Sequence, residues 1–131
     1  MVDYRNCEHY PDPTAQAALN RIEKKTYGYR PIIYVCSPYA GDVLKNTKKA
    51  RDYCRYVLKK GGLPLAPHLL FPQFMEDREL ALYLDTILVR HAAELWAFGG
   101  KITEGMKTEM DYAKKKSKPI RIIKEEWVYG I

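Results

Sequence analysis

The chain predicts an α/β fold, a doubly wound three-layer sandwich built on a parallel sheet of four to five strands. Three observations carry that prediction. Short apolar runs alternate with longer amphipathic stretches, glycine or proline breaks stand between them, and the run Pro31-Ile32-Ile33-Tyr34-Val35-Cys36 is continuous rather than alternating, as a strand covered on both faces requires. Strands that alternate with helices pair in parallel through crossovers, with helices on both faces of the sheet.

Taken in order, residues 3–12 are polar and aromatic and end at Asp12-Pro13, after which Thr14 to Lys25 reads as a helix with Ala15, Ala18, Leu19 and Ile22 on one side. Residues 1–30 are therefore expected to form an N-terminal arm and helix serving assembly, and residues 31–131 the α/β domain. Cys7-Glu8-His9 does not make a metal site: its members are adjacent and no second pair follows. Tyr27-Gly28-Tyr29-Arg30 reads as the hinge into the domain.

After the first strand, Ser37-Pro38-Tyr39-Ala40-Gly41-Asp42 breaks the apolar run, and Lys45 to Lys60 follows as a helix with Ala50, Tyr53, Cys54 and Val57 inward. Loops at the carboxyl ends of parallel strands line the ligand crevice of such folds, so Ser37, Tyr39, Gly41 and Asp42 are expected there, Ser37 able to hold a phosphate or sugar hydroxyl. A polar connecting turn explains the same residues equally well on pattern alone. Gly61-Gly62 ends the helix, and Leu63 to His68 gives a short strand that its prolines place near a sheet edge. His68 then sits at a strand's carboxyl end, although a lone histidine is more often structural. The apolar stretch Leu69 to Phe74 either covers a ligand or packs against a second subunit. Met75 to His91 reads as a helix with Leu80, Leu84, Ile87 and Leu88 inward, its first turn crowded with Glu76, Asp77, Arg78 and Glu79.

The final unit is strand, glycine turn, helix, strand: Glu94 to Phe98, Gly99-Gly100, a helix capped by Thr103, and Ile120 to Ile123, followed by the amphipathic tail from Glu125. The helix N-terminus, at the carboxyl end of the sheet, favours an anion. Met106, Met110 and Ala113 face the sheet, which leaves Glu109 on the shoulder, half in and half out, leaning back over Gly105, where no side chain fills the space. Thr103 lies six residues before Glu109, roughly 9 Å along the axis. A phosphate at the one and a sugar carbon at the other would span about one nucleotide.

Composition narrows the classes. The 131 residues suffice for one core, no apolar run is long enough to span a bilayer, and the N-terminus lacks the order of a signal peptide, so a cytoplasmic protein without a membrane partner is expected. Three cysteines, Cys7, Cys36 and Cys54, form neither a disulfide framework nor a zinc motif. Cys36 lacks the neighbours of a nucleophile and reads as a small buried residue. The net charge of +6 gathers at Lys45–Arg55, Lys59-Lys60 and Lys114–Lys118, on helix faces and ends, so nucleic acid is not the expected partner.

The run Thr-Glu-Gly-Met-x-x-Glu-x-x-x-Ala at 103–113, followed by Lys-Pro-Ile, resembles the signature of the nucleoside 2-deoxyribosyltransferase-like superfamily; Tyr-Val-Cys-Ser-Pro-Tyr-x-Gly-Asp, Ala-Pro-His and Glu-Leu-Trp-x-Phe-Gly bring it closer to a bacterial and phage branch without established activity. The resemblance covers about residues 31–123. It implies a Rossmann- or flavodoxin-like sandwich, Glu109 as a nucleophile toward the sugar C1′, Asp85 on the sugar or base, Tyr34 beside the glutamate, the Ser37–Asp42 loop on the nucleotide and His68 near the reacting sugar. The family's Cys-Asp-Glu-Leu-Trp is replaced here by Ala92-Ala93-Glu94-Leu95-Trp96. The transferases carry aspartate where this chain has Thr103; a hydroxyl there resembles the deoxynucleoside 5′-monophosphate hydrolases, whose serine binds phosphate. The expectation is N-glycosidic cleavage or transfer on a small-molecule nucleotide or nucleoside by a homo-oligomer, with no metal or other cofactor. A non-catalytic nucleotide-binding module on the same fold is the alternative.

Overall fold

In the computed structural model, residues 13–22 and 28–130 are described. The chain divides after Arg30 into two units, 1–30 and 31–131. Of the first, the described parts are helix α1, Pro13–Ile22, which the sequence places at Thr14 to Lys25, and the irregular residues 28–30; the residues before the helix, Cys7-Glu8-His9 among them, lie outside the described residues.

The second unit is an α/β sandwich whose four strands are all parallel, with helices on both faces. The strands are β1 (Ile32–Cys36), β2 (Leu63–Leu65), β3 (Glu94–Ala97) and β4 (Ile120–Ile122), in the order β2-β1-β3-β4. Tyr34 stands opposite Leu65 on one side and Leu95 on the other. The helices are α2 (Val43–Lys59), α3 (Arg78–His91), α4 (Glu104–Lys115) and α5 (Glu125–Tyr129), with two 3-10 turns, Pro67–Leu69 and Phe71–Gln73, between β2 and α3.

Because β1 is apolar at every position, its alternating side chains feed two separate cores. Ile33 and Val35 pack with Tyr53 and Val57 of α2, Trp96, Phe98 and Ile123; Val128 of α5 joins them. Tyr34 and Cys36 pack on the opposite face with Val89 of α3, Leu95, and Met106, Met110 and Ala113 of α4. The chain leaves β1 toward β2 on one side and toward β3 on the other. That reversal makes the gap between the carboxyl ends of β1 and β3 the topological switch point, where α/β sheets open a crevice. Gly99, in the turn after β3, has a φ of +103°, and a Cβ there would meet Pro38 Cδ at 2.8 Å. Only glycine lets the β1 and β3 loops close this tightly.

Local details depart from the sequence reading. Helix α2 begins at Val43, earlier than Lys45, because Asp42 caps it by accepting from Lys45 N at 3.1 Å. Helix α3 begins at Arg78, later than Met75, because Asp77 is its cap, accepting from Leu80 N at 3.1 Å. The inward face of α3 is also turned from the expected stripe. Asp85 and Val89 are its buried residues, while Leu80 is 43% exposed. Among the described residues, no helix is long and apolar enough to cross a membrane.

Candidate functional site

At the switch point lies a cavity of about 510 Å³, a size suited to a small-molecule ligand. Its walls come from the β1 loop (Ser37, Tyr39), the 3-10 segment (His68, Phe71), α3 (Arg78, Asp85) and the first turns of α4 (Thr103, Gly105, Glu109). Each wall follows from the fold: the loops lie at the carboxyl ends of β1 and β3, and α4 starts there because Thr103 caps it, accepting from Met106 N at 3.3 Å.

Glu109 does not sit half in and half out. It is 2% exposed, because α3 packs across α4 and closes the shoulder that helical periodicity alone leaves open. Tyr34, fully buried on β1, donates its hydroxyl proton to Glu109 Oε2. Burial pushes the Glu109 carboxyl up to about 8; the Tyr34 hydrogen bond opposes the shift, the Asp85 charge adds to it and the Arg78 charge opposes it. Asp85, 4% exposed, is pushed up to about 7 by burial against the pull of Arg78. The Tyr34 hydroxyl is held well above its ordinary value by burial and then by the charges of Glu109 and Asp85. Cys36, beneath this cluster, has its thiol pushed far up by burial, so it is an inert packing residue here.

Two polar atoms at the cavity have no hydrogen-bond partner among the described residues: Ser37 Oγ, on a residue 2% exposed, and Asp85 Oδ1. Buried polar groups are almost always satisfied, so a pair of orphans lining one cavity is the mark of a place kept for a ligand's hydroxyls or amides. His68 Nε2 lies 2.9 Å from the Ser37 carbonyl oxygen, which can only accept. The proton is therefore on Nε2, and Nδ1 is left as an acceptor. Burial lowers the His68 pKa below its usual 6.5, the Ser37 bond opposes this and Arg78 adds to it, so the ring is neutral at neutral pH. Tyr39 stacks on the ring with centroids 4.9 Å apart, which ties the β1 loop to the 3-10 segment.

Of the residues expected at the site, Glu109, Asp85, Ser37, Tyr39, His68, Thr103 and Gly105 line the cavity, and Tyr34 reaches it through Glu109. Gly41 and Asp42 are not brought to it. The loop turns away at Gly41, φ +95°, and the Asp42 carboxylate is engaged in capping α2. The stretch 69–74 is not a free loop but a pair of 3-10 turns, from which Phe71 and Pro72 line the cavity wall. Four charged lining residues were missed by the sequence reading, Glu76, Asp77, Arg78 and Glu104, and of these Arg78 is the cation. A signal existed, since a cation at the first position of a helix stands against the dipole and calls for another reason to be there. Among the described residues, no group of three or more histidine, cysteine, aspartate or glutamate side chains is arranged to hold a metal.

No curated protein matches the sequence. Among solved structures, the chain is similar to the Clostridium botulinum CMP N-glycosidase BcmB, with a TM-score of 0.51 and 17% identity over 71% of this chain and 71% of that one. At that identity the likeness is one of fold. The model of a family described as a domain of unknown function, DUF7768, matches residues 31–123, which is most of the 131-residue chain, and the chain belongs to that family.

Proposed function

We propose that the domain at 31–131, with 1–30 as an added arm, cleaves or transfers the N-glycosidic bond of a nucleotide, Glu109 being the nucleophile. The observation that carries this reading is a buried carboxylate lining a ligand-sized cavity, held by a tyrosine hydroxyl and, among the described residues, lacking an ion-pair partner within contact. Burial of a charge without a partner is costly and serves folding poorly, whereas it suits a group that meets positive charge developing on a sugar carbon. The name of the structural neighbour, a CMP N-glycosidase, and the resemblance to the deoxyribosyltransferase-like superfamily support the same class.

In this reading ionised Glu109 attacks C1′, the C1′–N bond breaks and the base leaves with the bond's electrons, taking a proton from solvent. Asp85 holds a sugar hydroxyl through its unpaired Oδ1, and Tyr34 fixes the rotamer of Glu109. Water, or a second base, then releases the glycosyl ester with retention, as in the two-carboxylate glycosidases. Thr103 still has its hydroxyl proton to give to a phosphate, since its cap bond uses the oxygen as an acceptor. Incubation with deoxy- and ribonucleoside monophosphates, CMP included, should release free base on chromatography. Glu109→Gln should lower the rate by at least about 10³-fold. No release from any member, with or without acceptor bases, would overturn the proposal.

One observation favours a second reading. With a pKa of about 8, Glu109 is mostly protonated in the empty cavity at neutral pH and can donate a hydrogen bond to a ligand that it never attacks. The protein would then be a nucleotide-binding module, and intact nucleotide would be recovered after binding.

A further inference from the structure

We infer that Arg78 selects substrates that carry a 5′-phosphate over the corresponding nucleosides, a step that rests on the nucleotide reading above. Arg78 is the one cation among the described residues lining the cavity, and none of its ion pairs there is within contact distance. Its guanidinium projects from α3 onto the first turn of α4: a Cβ on Gly105 would lie 3.6 Å from Arg78 Nη2 and would meet nothing else within 4 Å. The guanidinium thus lies against the start of α4, with room between them for no more than a methyl group, and the two form one wall of the cavity. Thr103 has already spent its oxygen on Met106 N, so the helix end offers hydrogen-bond donors but little charge. A phosphate in the cavity against that wall would take charge-assisted hydrogen bonds from Arg78 together with donors at the helix start.

The neighbouring groups set the sign. Glu76, Asp77, Asp85, Glu104 and Glu109 also line the cavity and oppose an anion; Glu76 and Glu104 are exposed, as Arg78 is, the Asp77 carboxylate is directed at Leu80 N as the cap of α3, and burial of Asp85 and Glu109 favours their uncharged forms. Without Arg78 every charged group of the lining would be a carboxylate, and a phosphate would be repelled. Ser37 Oγ, buried and unpartnered in the same lining, gives the cavity a further polar contact for the bound molecule.

The test uses Arg78→Gln and Arg78→Lys with one monophosphate and its nucleoside, the pair that the native protein cleaves fastest. Arg78→Gln should lower kcat/KM for the monophosphate by about 10- to 10²-fold more than for the nucleoside, whose smaller loss follows because the Arg78 charge no longer favours ionised Glu109, with Arg78→Lys between the native protein and Arg78→Gln. Equal losses on both substrates, or none on either, would overturn the inference while leaving base release, and hence the glycosidase reading, in place. Should the native protein release no base, calorimetry with CMP and cytidine decides. Tighter binding of CMP that Arg78→Gln abolishes supports the inference without the glycosidase, and binding that is indifferent to Arg78, or absent, overturns it.

Discussion

The two faces of the sheet each carry a tyrosine that donates to a glutamate far away in sequence, and the two pairs have been given opposite surroundings. On the α2/α5 face, Tyr53 donates to Glu125 Oε1 at 2.6 Å, Lys49 stands 3.6 Å from the other oxygen, and the Glu125 side chain remains 31% exposed. Tyr129 adds a bond to Asp52 Oδ2 at 2.9 Å, so the tail is clasped to α2 by ordinary, hydrated polar contacts. On the α3/α4 face, Tyr34 donates to Glu109, both are buried, a second buried carboxylate stands by, and no cation among the described residues is in contact. A hydrogen bond that fastens a helix needs water or a counter-ion nearby to stay cheap. The same bond without either is a site held ready for something else.

The widest separation between the pairs should come from removing their charges. Glu109→Gln removes base release yet keeps the fold, since a neutral side chain of the same shape still accepts from Tyr34. Its stability should diverge from the native protein's with pH. The folded values of Glu109 and Asp85, about 8 and about 7, lie above their ordinary 4.5 and 3.8. Folding therefore favours the protonated forms, and their contribution is fully present below about pH 4 and lost as pH rises through 7 to 8. Thermal melts of Glu109→Gln should accordingly lose less stability than native melts between pH 6 and 9, whereas Glu125→Gln should leave base release intact and melt slightly lower than native throughout, by up to about 1 kcal/mol. Parallel native and Glu109→Gln curves would show that the buried charge is not there.

A smaller contrast comes from the tyrosines. Tyr34→Phe leaves a buried carboxyl oxygen unpaired, at about 1–3 kcal/mol, and withdraws the one hydrogen bond that favours ionised Glu109. The rise of base release with pH should shift to higher pH, so that the variant recovers part of its rate above pH 8. Tyr53→Phe leaves Glu125 with Lys49 and water, should cost about 0.5–1.5 kcal/mol on denaturant unfolding, and should leave the pH profile of base release unmoved. Identical profiles for the two variants would erase the distinction drawn between the faces.

How much of this could be read from the chain depends on distance. The apolar run of β1, the Gly99-Gly100 turn, the Thr103 cap and the inward methionines of α4 are local patterns, and the sandwich, its parallel sheet and the edge position of β2 follow from them. The depth of Glu109 is not local. It is set by α3 lying across α4, and the residue that covers a helix shoulder cannot be counted off along the helix itself. The inward face of α3 failed for a related reason: Leu80 and Asp85 stand about 140° apart around the helix, and apolar periodicity turns the leucine inward, while the cavity takes the aspartate. Gly41 and Asp42 were legible as part of a polar turn but could equally have faced the crevice, and only the path of the loop decides.

The most direct test of the central claim, that buried Glu109 forms a bond to the sugar, is peptide mass spectrometry after incubation with a 2′-fluoro-arabinosyl nucleotide, a class of substrate that slows breakdown of glycosyl esters. The account predicts a sugar phosphate adduct on the peptide containing Glu109, absent from Glu109→Gln. Base release without an adduct, or an adduct on Asp85 instead, would contradict it.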